Sequence, residues 1–127
     1  MAYIKYNPNP DMKNRVGDCS VRAVAKVFMT DWRTAYVRLC DMGLKMHDMP
    51  NSNNVIGALL TSHGFEKFTI PDMCPECYSI KKFCKDYPEG VYVVGTGSHV
   101  VAVEDGNYYD AWNSGDEVPV YAWELVI

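Results

Sequence analysis

The sequence lacks any apolar run near the ~18 residues that a membrane span requires. Its opening, Met-Ala-Tyr-Ile-Lys-Tyr-Asn-Pro-Asn-Pro, lacks the apolar stretch of a secretory signal, so the expected setting is cytoplasmic. It also lacks a basic excess. Lys and Arg number 12 against 16 Asp and Glu, the formal charge is −4, and the basic residues are scattered. A phosphate backbone is gripped by concentrated positive charge, so the balance argues against nucleic acid as a partner. No membrane partner is expected either. There is no internal repeat, low-complexity tract or linker. With 48% hydrophobic and 13% aromatic residues, the composition excludes a disordered chain. What is there is a single domain of 127 residues, long enough to bury a core without staples.

Cysteine is present but does not pair evenly. The five are Cys19, Cys40, Cys74, Cys77 and Cys84. An odd count without an export signal argues for reduced thiols, not a disulfide framework. Cys74-Pro75-Glu76-Cys77 is half of a zinc-ribbon pattern, but no second pair stands at the matching spacing. The expectation is therefore no metal: Cys77 or Cys84 packs a short helix and Cys74 lies in a loop. His47 and His63 read as loop and helix-end residues, and neither stands in a partner pattern.

The chain divides into a helical half, about 17–64, and a sheet half, about 65–127. Gly17-Asp18-Cys19-Ser20 opens a helix with Val21, Val24, Ala25 and Phe28 on one face, Asp18 or Gly17 serving as cap. A second helix starts after Thr30 or Asp31, with Trp32, Ala35, Tyr36, Leu39 and Cys40 as its stripe and Gly43 near its end. Residues 46–51 read as a loop, and 44–54, with Met46 and Met49, can wall a groove. A third helix spans about 52–63, with Val55, Ile56, Leu59 and Leu60 inward and Gly64 closing it. Strands are expected over 67–70, 91–94, 99–103, 107–111 and 120–126, with a short helix over 79–87. Asp105-Gly106 marks a tight turn. Helices first and an antiparallel meander after them mean α+β. Tyr92, Tyr108, Tyr109, Tyr121 and Trp123 read as one aromatic sheet face.

The chemistry lies where the halves meet. Cys19 sits in the first turn of a helix, where unpaired amides and the helix dipole favour thiolate, the nucleophilic form. Gly17 allows close approach of a substrate backbone. His99 begins a strand after the Gly95-Thr96-Gly97 turn. The Asp105-Gly106 turn brings Asp110 near it across the pair. A nucleophile, a base and an orienter for the base thus follow in chain order, with Asn113 as another candidate for the orienter. Arg22, one turn after Cys19, reads as a salt-bridging helix residue whose charge also favours the thiolate. Each residue alone has a blander reading, as core thiol, surface histidine or turn carboxylate. The joint order is what points to catalysis.

Asp18-Cys19-Ser20, Ser98-His99-Val100-Val101-Ala102-Val103 and Asp110-Ala111-Trp112 resemble, in order, the nucleophile helix, the His strand and the Asn-Ser-Trp segment of papain-like cysteine peptidases. The resemblance is closest to the small single-domain type of phage and bacterial genomes. It implies a minimal papain-like fold and hydrolysis of a peptide or isopeptide bond through an acyl-enzyme on Cys19, in a peptide or protein substrate. His99 would be the base, Asp110 its orienter, and Trp112 the shield of the polar triad member. The backbone amide of Cys19 would bind the oxyanion. Lys13 stands where the family has its oxyanion Gln, and Asn14 is the nearest amide side chain. Trp112 and Asn113 are candidates for the substrate groove. No cofactor is implied. Alternatives are a transglutaminase-like acyltransferase, a cell-wall peptide hydrolase, and a non-catalytic binding module stabilised by zinc at Cys74 and Cys77.

Overall fold

A computed structural model of the chain describes residues 2–11 and 16–126. Ten elements run in order: β1 (Tyr3–Lys5), α1 (Cys19–Val27), α2 (Trp32–Met46), α3 (Asn53–Thr61), β2 (Phe65–Thr69), α4 (Ile80–Asp86), β3 (Val91–Gly95), β4 (Val100–Glu104), β5 (Asn107–Asp110) and β6 (Tyr121–Leu125). The fold is mixed α+β. Six strands form one sheet in the order β1-β5-β4-β3-β6-β2. One apolar cluster joins α1, α2 and α3 to one side of the sheet through Val93, Val100, Ala102 and Trp123. A second joins α4 to the sheet through Val94, Val101, Val103 and Tyr108. Successive residues of β3 and of β4 fall in different clusters, as the period of two demands of a sheet covered on both faces. None of the described helices is long and apolar enough to cross a membrane.

Local signals account for most element ends. Asp31, Ser52 and Ser79 each accept a hydrogen bond from an amide in the first turn of their helix, at Thr34, Val55 and Lys82. The Asp105-Gly106 pair, both with positive φ, turns β4 into β5. His47, with φ 55°, ends α2, so this helix takes in residues 44–46 that the sequence pattern assigns to loop. Its buried line is also narrower than expected. Ala35, Leu39 and Gly43 are buried, whereas Tyr36 is exposed and stacks on Trp32 at 5.1 Å.

Two other expectations are corrected. The sheet is not purely antiparallel, nor confined to the second half: β1 pairs with β5 in parallel, Lys5 beside Asp110. The aromatics do not share a face. Tyr92 and Tyr108 belong to the α4 cluster, Tyr121 and Trp123 to the other. Seven of the nine residues of α1 are buried, Ser20 and Arg22 included. It lies between α2 and the sheet, packed on β3, β4 and β5, so its polar residues must find partners inside the protein.

One close approach in the sheet gives a direct test. Gly95 lies opposite Tyr121 in the β3–β6 register. A Cβ built on Gly95 would stand 2.1 Å from the Tyr121 ring, and that ring is held edge-on by Trp123 at 5.0 Å. Gly95→Ala is therefore expected to destabilise the fold by about 1–3 kcal/mol, the usual cost of overpacking. A urea titration would measure it, and an unchanged midpoint would contradict the packing described.

Candidate active site

The N-cap of α1 is Asp18, but its carboxylate makes no side-chain cap bond to the helix amides. It instead takes a buried ion pair from Arg22, one turn on, and hydrogen bonds from Asn9 Nδ2 at 3.1 Å and Trp32 Nε1 at 3.0 Å. The first amides of α1, that of Cys19 among them, are therefore left for another acceptor. This is the site expected for an oxyanion. Asn14, the other expected oxyanion donor, lies outside the described residues, as does Lys13.

Cys19 is half-buried at the first position of α1. Its side chain and that of His99 line the same cavity. Burial alone would raise its pKa. The hydrogen bonds from His99 and Val100, with the charges of His99 and Arg22, outweigh burial and hold it below the ordinary thiol value. Cys84, buried without such partners, is pushed up to about 11.

His99 lies in the turn just ahead of β4, where its carbonyl accepts from Thr96 N at 2.8 Å. Its Nε2 meets Asp110 Oδ2 at 2.7 Å. Burial lowers its pKa, but Asp110 and Cys19 prevail and raise it to about 9. The register is that of a symmetrical hairpin, with Glu104 facing Asn107 across the two-residue Asp105-Gly106 turn. Ala102 faces Tyr109, which puts Val101 opposite Asp110 and His99 on its diagonal, still within reach of a side-chain bond. The Trp112 ring lies beside the imidazole, with centroids 5.0 Å apart and the planes tilted by 32°.

Asp110 ends β5 with only 1% of its surface exposed. Oδ2 accepts from His99 and from Ser114 Oγ at 2.6 Å; Oδ1 accepts from Arg22 Nη2 at 3.1 Å and from the Ala111 amide at 2.8 Å. Burial pushes this carboxyl up, and the bonds from His99 and Ser114 more than reverse that, leaving it below the ordinary carboxylate range. Asn113 is not the orienter. Its Oδ1 accepts from Tyr108 Oη at 2.7 Å and from the Gly115 amide, shaping the loop after β5.

A cavity of about 340 Å³ opens on Cys19, His99 and Trp112, with Asn51 and Ser98 on its rim. Next to it is an apolar cavity of about 480 Å³ walled by Trp32, Tyr36, Leu39, Met49 and Pro50. The segment between α2 and α3 thus forms a wall, as expected. Of the two groove candidates, Trp112 lines the Cys19 cavity. Asn113 instead borders a separate hollow with Lys81 and Tyr108.

Cys74 and Cys77 are joined by a disulfide, which corrects the expectation of five reduced thiols. Spacing alone does not decide between a metal pair, two thiols and a bond. The bonded sulfurs are not zinc-ligating thiolates, so the zinc-stabilised module gains no support here. Cys84 packs in the α4 cluster as expected, whereas Cys77 does not.

Sequence reasoning named Cys19, His99 and Asp110, and these three are brought together. It missed Ser114 and the inward role of Arg22. The Asp18–Arg22 spacing of four was a readable ion-pair signal, but nothing in the sequence aims Arg22 at Asp110. Comparison with protein-family models, curated proteins and solved structures finds no match for this chain.

Proposed function

We propose that this protein is a papain-like cysteine hydrolase that cleaves an amide, of peptide or isopeptide type, through an acyl-enzyme. The observation that carries the reading is the Cys19 thiol at a helix start, held acidic by an imidazole that a buried Asp110 grips at 2.7 Å. Cys19 Sγ attacks the carbonyl carbon as the thiolate. The C=O electrons move to oxygen, which the Cys19 amide is placed to receive. Collapse of this adduct breaks the C–N bond, and the His99 imidazolium gives its proton to the leaving amine. His99, now neutral, takes a proton from water as the water attacks the thioester. The acid is released and the thiolate–imidazolium pair returns.

The reading is tested by limiting iodoacetamide at pH 6 followed by peptide mapping. Cys19 should be alkylated well ahead of Cys40 and Cys84. Labelling of either of those first would overturn the assignment of Cys19 as nucleophile.

A further inference from the structure

The triad residues are part of a longer run of charge. From Asp18 it passes to Arg22, to Asp110, to His99 and to Cys19, and Cys19 is the neighbour of Asp18 in the chain. The signs alternate when the thiol and imidazole are in their ionised forms. Arg22 is the member whose charge no accessible pH removes. It is 4% exposed, between two carboxylates that are 4% and 1% exposed. Of the four donors to Asp110, the Ala111 amide and Ser114 belong to the segment right after it. They fix the carboxylate relative to β5 alone. Arg22 comes from α1, three residues beyond the nucleophile. It is thus the donor that fixes Asp110 relative to the helix carrying Cys19.

We infer that Arg22 is a positioning residue, one that aims the Asp110 carboxylate at His99 and sets the distance between α1 and the end of β5. This rests on the reading of Cys19, His99 and Asp110 as a triad. Arg22 touches no reacting atom and acts through Asp110. A lysine can carry the charge but not the fork that spans two carboxylates at once. Among the described residues, the charged groups around the guanidinium are Asp18 from the N-cap and Asp110 from β5, with Cys19 and His99 beyond them. Lys26 and Glu104 pair with each other at 3.7 Å one turn further along α1.

The test uses the full chain with Asp18→Asn and Arg22→Met together, a change that removes one charge of each sign and leaves no buried anion at position 18. Arg22→Lys is made beside it. Two quantities are read: the titration of His99 by NMR and the rate of Cys19 alkylation at pH 6. In the double variant the His99 pKa is expected to fall from about 9 toward 6.5, by roughly one unit or more. Alkylation should slow about tenfold with it. Arg22→Lys should shift both less and in the same direction.

A cation acting by charge alone would have the opposite effect, since its loss lets an imidazole titrate higher. A merely structural residue would lower stability and leave His99 where it was. Either outcome in a folded variant overturns the inference. If the double variant does not fold, Arg22→Lys decides on the same readouts, and an unshifted His99 overturns it. The hydrolase reading fails separately: a wild-type Cys19 no more reactive than Cys40 would refute it, while the His99 titration still decides the role of Arg22.

Discussion

His99→Ala is expected to lower amide hydrolysis on the order of a thousandfold, the scale of losing a positioned acid–base group at both steps. The thiol pKa should climb back toward the ordinary range near 8.5, since its main hydrogen-bond and charge partner is gone. Amine release from a peptide-amide library measures the first effect, and thiolate absorbance the second. The wild type should show a bell. Its acid limb follows the depressed thiol, and its basic limb near pH 9 follows the imidazolium that must protonate the leaving amine. The variant should lose the basic limb. The fold should survive, because Asp110 keeps Arg22, Ser114 and the Ala111 amide as donors. The stability difference has a sign. His99 titrates higher folded than unfolded, so its contribution is complete below about pH 6.5 and disappears as the pH rises through about 9. The variant should lose more stability at pH 6 than at pH 10. A variant that unfolds outright would mean that His99 is structural.

Asp110→Ala is expected to act on stability first. It removes the Asp110 carboxylate from a buried ion pair with Arg22. Breaking such pairs typically costs about 3–5 kcal/mol. A domain of this size holds roughly 5–15 kcal/mol in all, so the loss should be visible as partial unfolding at 37 °C. Asp110→Asn keeps an acceptor for His99 and for Arg22 and should stay folded, with a smaller fall in hydrolysis than Asp110→Ala. Asp110 titrates lower folded than unfolded. Its ionic contribution is present above the unfolded value near 3.9 and lost as the pH falls through the lower folded value. The gap between wild type and Asp110→Asn in urea melts should therefore close only in acid below about pH 4. Asn113→Ala serves as the comparison. It should loosen the Tyr108–Gly115 loop and leave the Cys19 thiol unchanged. If Asn113→Ala were the variant that silenced Cys19, the third member of the site would be misassigned.

The helices and the β3–β5 meander were legible because their signals are local. Apolar residues recur at helical spacing in α1 and α3, Ser52 and Ser79 cap the helices they precede, and Asp105-Gly106 can hardly be anything but a tight turn. β1 was not legible, since Tyr3-Ile4-Lys5 has too few residues to show a period. It is a strand because β5 lies beside it. Arg22 was legible as an ion-pair partner and illegible as a buried one. A guanidinium in a core is stable only with its anions in place, and one of those anions lies 88 residues away. The site was easier to read than the sheet around it, because each member stands at an element's end, where local rules place it. Ser114 and the inward aim of Arg22 escaped, because each depends on a carboxylate that only the fold brings near.

The parallel pairing of β1 with β5 has a consequence in the time order of synthesis. Tyr6 N bonds the Asp110 carbonyl at 2.8 Å and Tyr3 Oη reaches the same oxygen, so this first strand has its ladder partner more than 100 residues downstream. At roughly 5–20 residues per second, a growing chain carries Cys19 for several seconds before Asp110 has been made. During that interval α1, α2 and α3 can close on one another through short-range contacts, but the imidazole has no carboxylate and the first strand no ladder. A chain stalled before Asp110 would expose an ordinary thiol in place of an activated one. Hydrolytic competence would then arrive in a single late event, when β5 docks between its two neighbours.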